Sequence, residues 1–207
     1  MIKPNDTALR LFEILSASGI EAYAVGGFVR DSLMGLPVHD IDFAVSASPE
    51  ETKRLLSPFA KMIDTGLKFG TVTAVFEGVP FELTTFRADC GIKDGRHPQS
   101  VSFVRDIVSD LSRRDFTVNA IYYSIDTAEY VDYTGGIPDL YKHVLRTTQS
   151  PEKVFSEDGL RILRMVRIAA ELGFNIDKET LDGAKKSVHL LKDISGERKR
   201  EEFLKIL

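Results

Sequence analysis

Short β-rich runs separated by glycine fill the chain to about residue 148. From Pro151 onward the apolar residues recur at helical spacing instead. This change of period constrains the fold more than any other feature. It implies an α+β domain, residues 1–148, followed by an all-helical one, residues 149–207. In the first part, Leu9, Phe12 and Leu15 give residues 4–18 a helical face, with Asn5 or Asp6 as cap and Gly19 as stop. Residues 22–25, 41–45, 71–76 and 81–86 read as strands, residues 28–34 as a helix start, and Asp89–Ser100 as a mobile loop. In the second part, EDGLRILRMVRIAAELGF reads as one helix, with further helices from about Lys178 and near Ser195.

Composition narrows the function classes. A 43% hydrophobic, 28% charged chain can bury a core and is not disordered wholesale. No run approaches the about 18 apolar residues of a membrane span. MIKPNDTALR has no hydrophobic signal core, so a membrane or secreted protein is not expected. The single cysteine, Cys90, excludes an intrachain disulfide framework and suits a reducing cytoplasm. The net charge of −4 excludes a globally basic nucleic-acid binder. Residues 151–207 carry 12 basic and 11 acidic side chains. A polyanion would therefore have to be held by metal ions and a few placed arginines.

Three features carry chemistry. Gly26-Gly27, after an apolar run, lets backbone N–H groups approach an anion, and Arg30 stands one turn into the helix that follows. Alone, this is also an ordinary strand–turn–helix corner. Asp40 and Asp42 lie two apart ahead of an apolar strand, so both carboxylates share a face while Ile41 takes the other. Like charges so placed repel unless a cation lies between them, and oxygen ligands suit Mg²⁺ shared with substrate phosphates. A solvated strand-edge pair is the plainer alternative. Glu82, with Thr84 on the same face of its strand, offers a third acid, although a lone strand glutamate commonly just faces solvent. In the helical block, Ile162, Met165, Val166, Ala169 and Leu172 form one arc, and Glu157, Arg161, Arg164, Arg167 and Glu171 the other. Those arginines could equally be partners of glutamates one turn away. His39, His97, His143 and His189 are scattered and read as ordinary loop or surface residues.

The segments AVGGFVRDSLMG, HDIDFAV, TGLKFGTVT, FELTTFR, LSRRDFTVNAIYY, DYTGGIPDL and EDGLRILRMVRIAAELGF resemble, in order, the blocks of class II tRNA nucleotidyltransferases. These CCA-adding enzymes are grouped with bacterial poly(A) polymerases in the polymerase β superfamily. The resemblance implies a nucleotidyltransferase head with a mixed five-stranded sheet and a helical neck. It makes Asp40 and Asp42 the metal ligands of a two-metal Mg²⁺ site and Glu82 the third catalytic acid. Gly26, Gly27 and Arg30 would serve the triphosphate, and Arg113, Arg114, Asp115 and Asn119 the ribose and phosphates. Asp132, Gly135 and Gly136 would shape the link from head to neck. Asp158, Arg161 and Arg164 would meet the incoming nucleotide, with the Asp158 carboxylate and Arg161 guanidinium pairing with its base.

That pair has a chemical logic. Cytosine and adenine both present an amino donor beside a ring-nitrogen acceptor, whereas uracil and guanine present the reverse. An acceptor next to a donor therefore suits C and A and leaves buried groups unmet with U or G, a discrimination that can reach roughly 10⁴-fold. The implied reaction is template-independent addition of C and A from CTP and ATP to the tRNA 3′ end, releasing pyrophosphate. Thr65–Thr71 resembles the CCA-adding type more than the arginine-rich segment of poly(A) polymerases, and Ala88–Ser100 has the loop length of an enzyme that also adds A. His97, where a second arginine is common, and Gly159, where proline is common, depart from the pattern. A-adding, CC-adding or poly(A) activity, and a non-catalytic nucleotide-binding module, stay as alternatives. Family members continue into body and tail domains, so a chain ending at Leu207 is expected to keep the nucleotide site but to grip tRNA weakly.

Overall fold

The computed structural model describes residues 4–38, 40–92 and 98–206, and the side chains of all of these except 89–92 and 98–100. His39 and His97, named above, lie outside the described residues. In chain order the elements are α1 (Asp6–Ala17), β1 (Ala22–Val25), α2 (Gly27–Leu33), β2 (Asp42–Val45), α3 (Pro49–Leu56), β3 (Lys61–Gly66), β4 (Thr71–Phe76) and β5 (Val79–Thr85). Next come β6 (Arg87–Ile92), β7 (Pro98–Phe103), α4 (Ile107–Leu111), β8 (Tyr122–Ser124), β9 (Glu129–Val131), α5 (Gly136–Lys142) and β10 (Val144–Leu145). The chain ends with α6 (Pro151–Glu157), α7 (Arg161–Leu172), β11 (Asn175–Ile176), α8 (Lys178–Ser187) and α9 (Gly196–Leu204). These group into two compact units, residues 1–88, 101–111 and 121–133 against residues 89–100, 112–120 and 134–207. The expected division at 148/149 differs from this grouping, which places 112–120 and 134–148 with the helices.

The first unit is built on a seven-stranded sheet in the order β3-β4-β5-β2-β1-β8-β9, among the described residues. It is mixed, because β2 and β5 run parallel while the other neighbours are antiparallel. Seven strands replace the expected five. β3 is an edge strand with mostly exposed side chains, and β8 and β9 have three residues each, too few to show a period. Along one face, Ala24, Phe43, Leu83 and Val72 fall in one cross-strand row, all buried. α1 contributes Ala8, Leu11, Phe12 and Leu15 to the core, and the Phe12 and Phe43 rings lie 6.4 Å apart. Leu9, expected on the buried face, is only half-buried, and Leu11 takes that role. Each large apolar side chain so buried contributes about 1.5–3 kcal/mol. Asn5 caps α1 by accepting from the Ala8 amide. Ser48 and Glu51 form a capping box on α3, which the sequence advertises as Ser-Pro-Glu-Glu. Instead of a loop, Arg87–Ile92 and Pro98–Phe103 are strands that pair as a ribbon.

In the second unit, α6 and α7 are separate helices. Asp158 is extended (φ −152°, ψ 108°), so the single helix expected from Glu157 onward is broken there. Ser150 caps α6, and Pro151 at its first turn needs no amide partner. α7 buries Ile162, Met165, Ile168 and Ala169, whereas Val166, expected on that arc, is 43% exposed. Two glycines mark close approaches. A Cβ at Gly183 of α8 would stand 2.3 Å from the Pro151 Cβ, and one at Gly159 would meet Leu190 at 3.1 Å. Gly159, in the place where proline is common, thus lets the chain after α6 pass against Leu190.

Candidate active site

The first unit presents the acids. β1 ends at Val25 and the chain turns at Gly26, whose φ of 76° and ψ of −141° only glycine adopts without strain. A Cβ there would lie 3.9 Å from the Asp42 Oδ2, so the turn runs directly beside that carboxylate. Asp42 opens β2, and Asp40 precedes the strand instead of belonging to it; both are exposed, while Ile41 between them is 5% exposed. In register, Asp42 stands opposite Glu82 of β5, and Glu82 opposite Thr73 of β4. Side chains on paired positions share a face, and neighbouring strands are about 4.8 Å apart. Asp42 and Glu82 are therefore lateral neighbours on the sheet face opposite the Phe43 core row. Thr84, two residues on from Glu82, shares a hydroxyl hydrogen bond of 3.1 Å with Thr71. Arg30 is turned onto Asp31, at 2.7 and 2.9 Å, so its guanidinium is engaged by its sequence neighbour. Gly27 follows Gly26 as the first residue of α2.

The second unit presents arginines bound to acids. Asp115, 8% exposed, accepts from Arg164 Nε at 2.9 Å and from the Phe116 amide at 2.8 Å. Burial pushes the Asp115 carboxyl up, but the Arg164 and Arg161 charges and these hydrogen bonds outweigh it, holding the carboxyl below the usual range. Asp115 in turn raises the Arg164 guanidinium against the opposing effect of burial. Arg161 donates to Glu157 at 2.7 Å, to the Val154 carbonyl at 3.0 Å and to the Arg113 carbonyl at 2.6 Å. Asp158 accepts from Arg198 at 2.8 and 3.5 Å and from the Leu160 amide at 3.0 Å. Asp158 and Arg161, expected to act side by side, thus take different supports. Arg113 and Arg114 are half-buried, and Asn119 is the buried last residue of the 3₁₀ turn that follows Phe116.

Arg198, Glu202 and Asp139 form pairs that nothing in the sequence advertises. Arg198, and Glu202 with its 2.7 Å bond to Arg167, lie in the C-terminal ISGERKREEF segment. Buried Asp139 binds the Thr117 hydroxyl at 2.6 Å and Arg146 at 3.0 Å. Gly135, with φ of 77°, leaves room for that arginine, since a Cβ would stand 3.3 Å from its Nη2. No spacing rule finds pairs 35 to 49 residues apart such as Arg167–Glu202 and Arg164–Asp115.

Residues 22–146 match the family described as the poly A polymerase head domain, and residues 173–207 match a probable RNA and SrmB-binding site of polymerase A. The CCA-adding enzyme of Lactobacillus helveticus is 46% identical over 199 residues, covering 96% of this chain and 49% of the relative. That of Streptococcus thermophilus is 46% identical over 200 residues, covering 97% and 49%. The Bacillus stearothermophilus CCA-adding enzyme in complex with CTP matches in structure with a TM-score of 0.89 at 40% identity, covering 100% of this chain and 49% of that one. The Thermotoga maritima CCA-adding enzyme complexed with tRNA_CCA gives a TM-score of 0.80 at 29% identity, covering 99% and 48%. The chain spans about half the length of the curated relatives it matches.

Proposed function

Since the chain belongs to the poly A polymerase head domain family, we propose that it carries the nucleotide-handling part of a template-independent tRNA nucleotidyltransferase. It would transfer C and A from CTP and ATP to the RNA 3′ end and release pyrophosphate. The observation that carries this reading is the register setting exposed Asp42 beside Glu82, with the Gly26 turn against the Asp42 carboxylate.

Asp40 and Asp42 would hold a hard divalent cation, magnesium in this reading, through their carboxylate oxygens. When bound, two such ions would polarise the triphosphate and ease deprotonation of the RNA hydroxyl. The chain's own residues then position the reactants, the main source of acceleration in such transfers. The backbone at Gly26 and Gly27 approaches the triphosphate without side-chain obstruction, and Arg30 completes its grip once drawn from Asp31. Arg113, Arg114 and Asn119 hold ribose and phosphates, and the Asp115–Arg164 pair fixes their segment.

Base choice falls to Asp158 and Arg161. Among the described residues, Arg161 uses three donor contacts of a five-donor guanidinium, and Asp158 receives three hydrogen bonds with about four lone-pair sites available. Each keeps capacity for a base edge while its supports hold it still. Among the described residues no helix is long and apolar enough to cross a membrane, and a cytoplasmic location fits a tRNA substrate.

Poly(A) addition is the second reading, because residues 22–146 match the poly A polymerase head domain. The test supplies CTP alone, ATP alone and both together to tRNAs ending at successive 3′ positions. Stepwise C, C, A addition supports CCA synthesis, and repeated A from ATP alone supports the second reading. No incorporation, together with no nucleotide binding, ends both.

A further inference from the structure

Four consecutive main-chain carbonyls, those of Ser112, Arg113, Arg114 and Asp115, are each taken by a donor within the second unit. Gln149 Nε2 donates to Ser112, Arg161 Nη2 to Arg113 at 2.6 Å, Thr148 Oγ1 to Arg114, and the Thr148 amide to Asp115 at 3.1 Å. The strap that supplies three of these donors is itself fixed. The Thr147 hydroxyl donates to the Gln149 carbonyl at 2.8 Å, and Phe116 and Thr147 form an isolated β-bridge. Lys153 Nζ donates to Gln149 Oε1 at 2.6 Å. An ammonium only donates and a carbonyl only accepts, so the Gln149 amide has one orientation that satisfies both.

From this geometry we infer that Thr148 and Gln149 are positioning residues for the nucleotide. The inference rests on the function proposed above. The strapped segment carries Arg113 and Arg114, the cations assigned to ribose and phosphates. The fourth clamp, Arg161, is the residue assigned to the base. Phosphate-holding and base-reading groups are thus registered through one run of backbone, and a loosened strap shifts the first against the second. Neither Thr148 nor Gln149 needs to touch the nucleotide for this, and both are half-buried.

The test uses two near-isosteric changes, Thr148→Val and Gln149→Glu, and one conservative control, Thr148→Ser. CTP with magnesium is titrated into each, recording dissociation constant and stoichiometry separately, with circular dichroism as the check on folding. Thr148→Val and Gln149→Glu are each expected to weaken CTP about tenfold at unchanged stoichiometry, the scale of one lost buried hydrogen bond. Thr148→Ser is expected to retain affinity. A purely architectural strap would instead lower the stoichiometry as protein unfolds and leave the dissociation constant of the folded fraction alone, and that result overturns the inference. If the unaltered chain fails to bind CTP, the proposed function falls first and takes this inference with it. Binding by the unaltered chain with equal affinity in all variants removes the inference alone.

Discussion

The two compact units use the same chemical groups in opposite ways. In the first, Asp40, Asp42 and Glu82 sit exposed at and beside the β2–β5 register. In the second, Asp115, Asp139 and Glu202 are buried, each against an arginine. An exposed acid on a rigid strand costs the fold little and can serve a cation. A buried acid without its arginine would be an uncompensated charge, so such pairs are set by stability before function. Charge of the first kind should change activity when removed, and charge of the second kind should change folding.

The largest expected effect breaks the first side of this comparison. Asp42→Ala should lower nucleotide addition by on the order of 10³-fold, the upper range for loss of one electrostatic stabiliser. Its melting temperature should barely move, because exposed substitutions stay within about 0.5 kcal/mol. Initial rates with a tRNA lacking its 3′ end, set beside thermal unfolding, check both halves. A variant that is unfolded or fully active contradicts the contrast.

The second side is tested by Asp115→Asn, expected to cost about 3 kcal/mol in denaturant unfolding, as when one partner of a buried pair is removed. It also changes the pH dependence. The folded carboxyl of Asp115 is held below its ordinary value, so its stabilisation is present above the unfolded value of about 3.9. That stabilisation is lost as pH falls through the lower folded value. Unfolding measured from pH 6 to about pH 2.5 should show a shallower acid-side loss in Asp115→Asn than in the unaltered chain.

Glycines sharpen the contrast at smaller magnitude. Gly183→Ala forces a Cβ to 2.3 Å from Pro151 and should cost about 1–3 kcal/mol with CTP affinity of the folded protein unchanged. Gly26→Ala places an alanine at φ 76° and ψ −141° beside Asp42, with a strain of about 1–3 kcal/mol. It should lower the rate of nucleotide addition more than that strain accounts for, as read from activity per folded molecule.

What was legible in the sequence follows the same divide. The strands around residues 22–25, 41–45, 71–76 and 81–86 showed themselves because their core-facing residues alternate or run apolar, and Asp40 and Asp42 stood out by spacing. β3, whose side chains mostly face outward, carries no such pattern. The ribbon strands β6 and β7 were hidden by polar and glycine residues that read as a loop. The break at Asp158 was obscured because Ser156-Glu157-Asp158 also resembles a helix start, and the conformation that decides it depends on partners such as Arg198, 40 residues away. Val166 and Ile168 exchanged roles because a helical arc drawn at 100° per residue does not know which side its neighbours occupy. Arg30 was legible as a cation but not as the partner of Asp31. The buried acid–arginine pairs were invisible for a simpler reason: both members look like surface charge until the chain is folded.

The most direct test is a calorimetric titration of the chain with CTP, ATP, UTP and GTP, with magnesium present and then removed. The expected result is that CTP and ATP bind, that UTP and GTP bind at least tenfold more weakly, and that chelation of the metal abolishes the tight phase. Equal affinity for all four triphosphates, or binding indifferent to the cation, would contradict it.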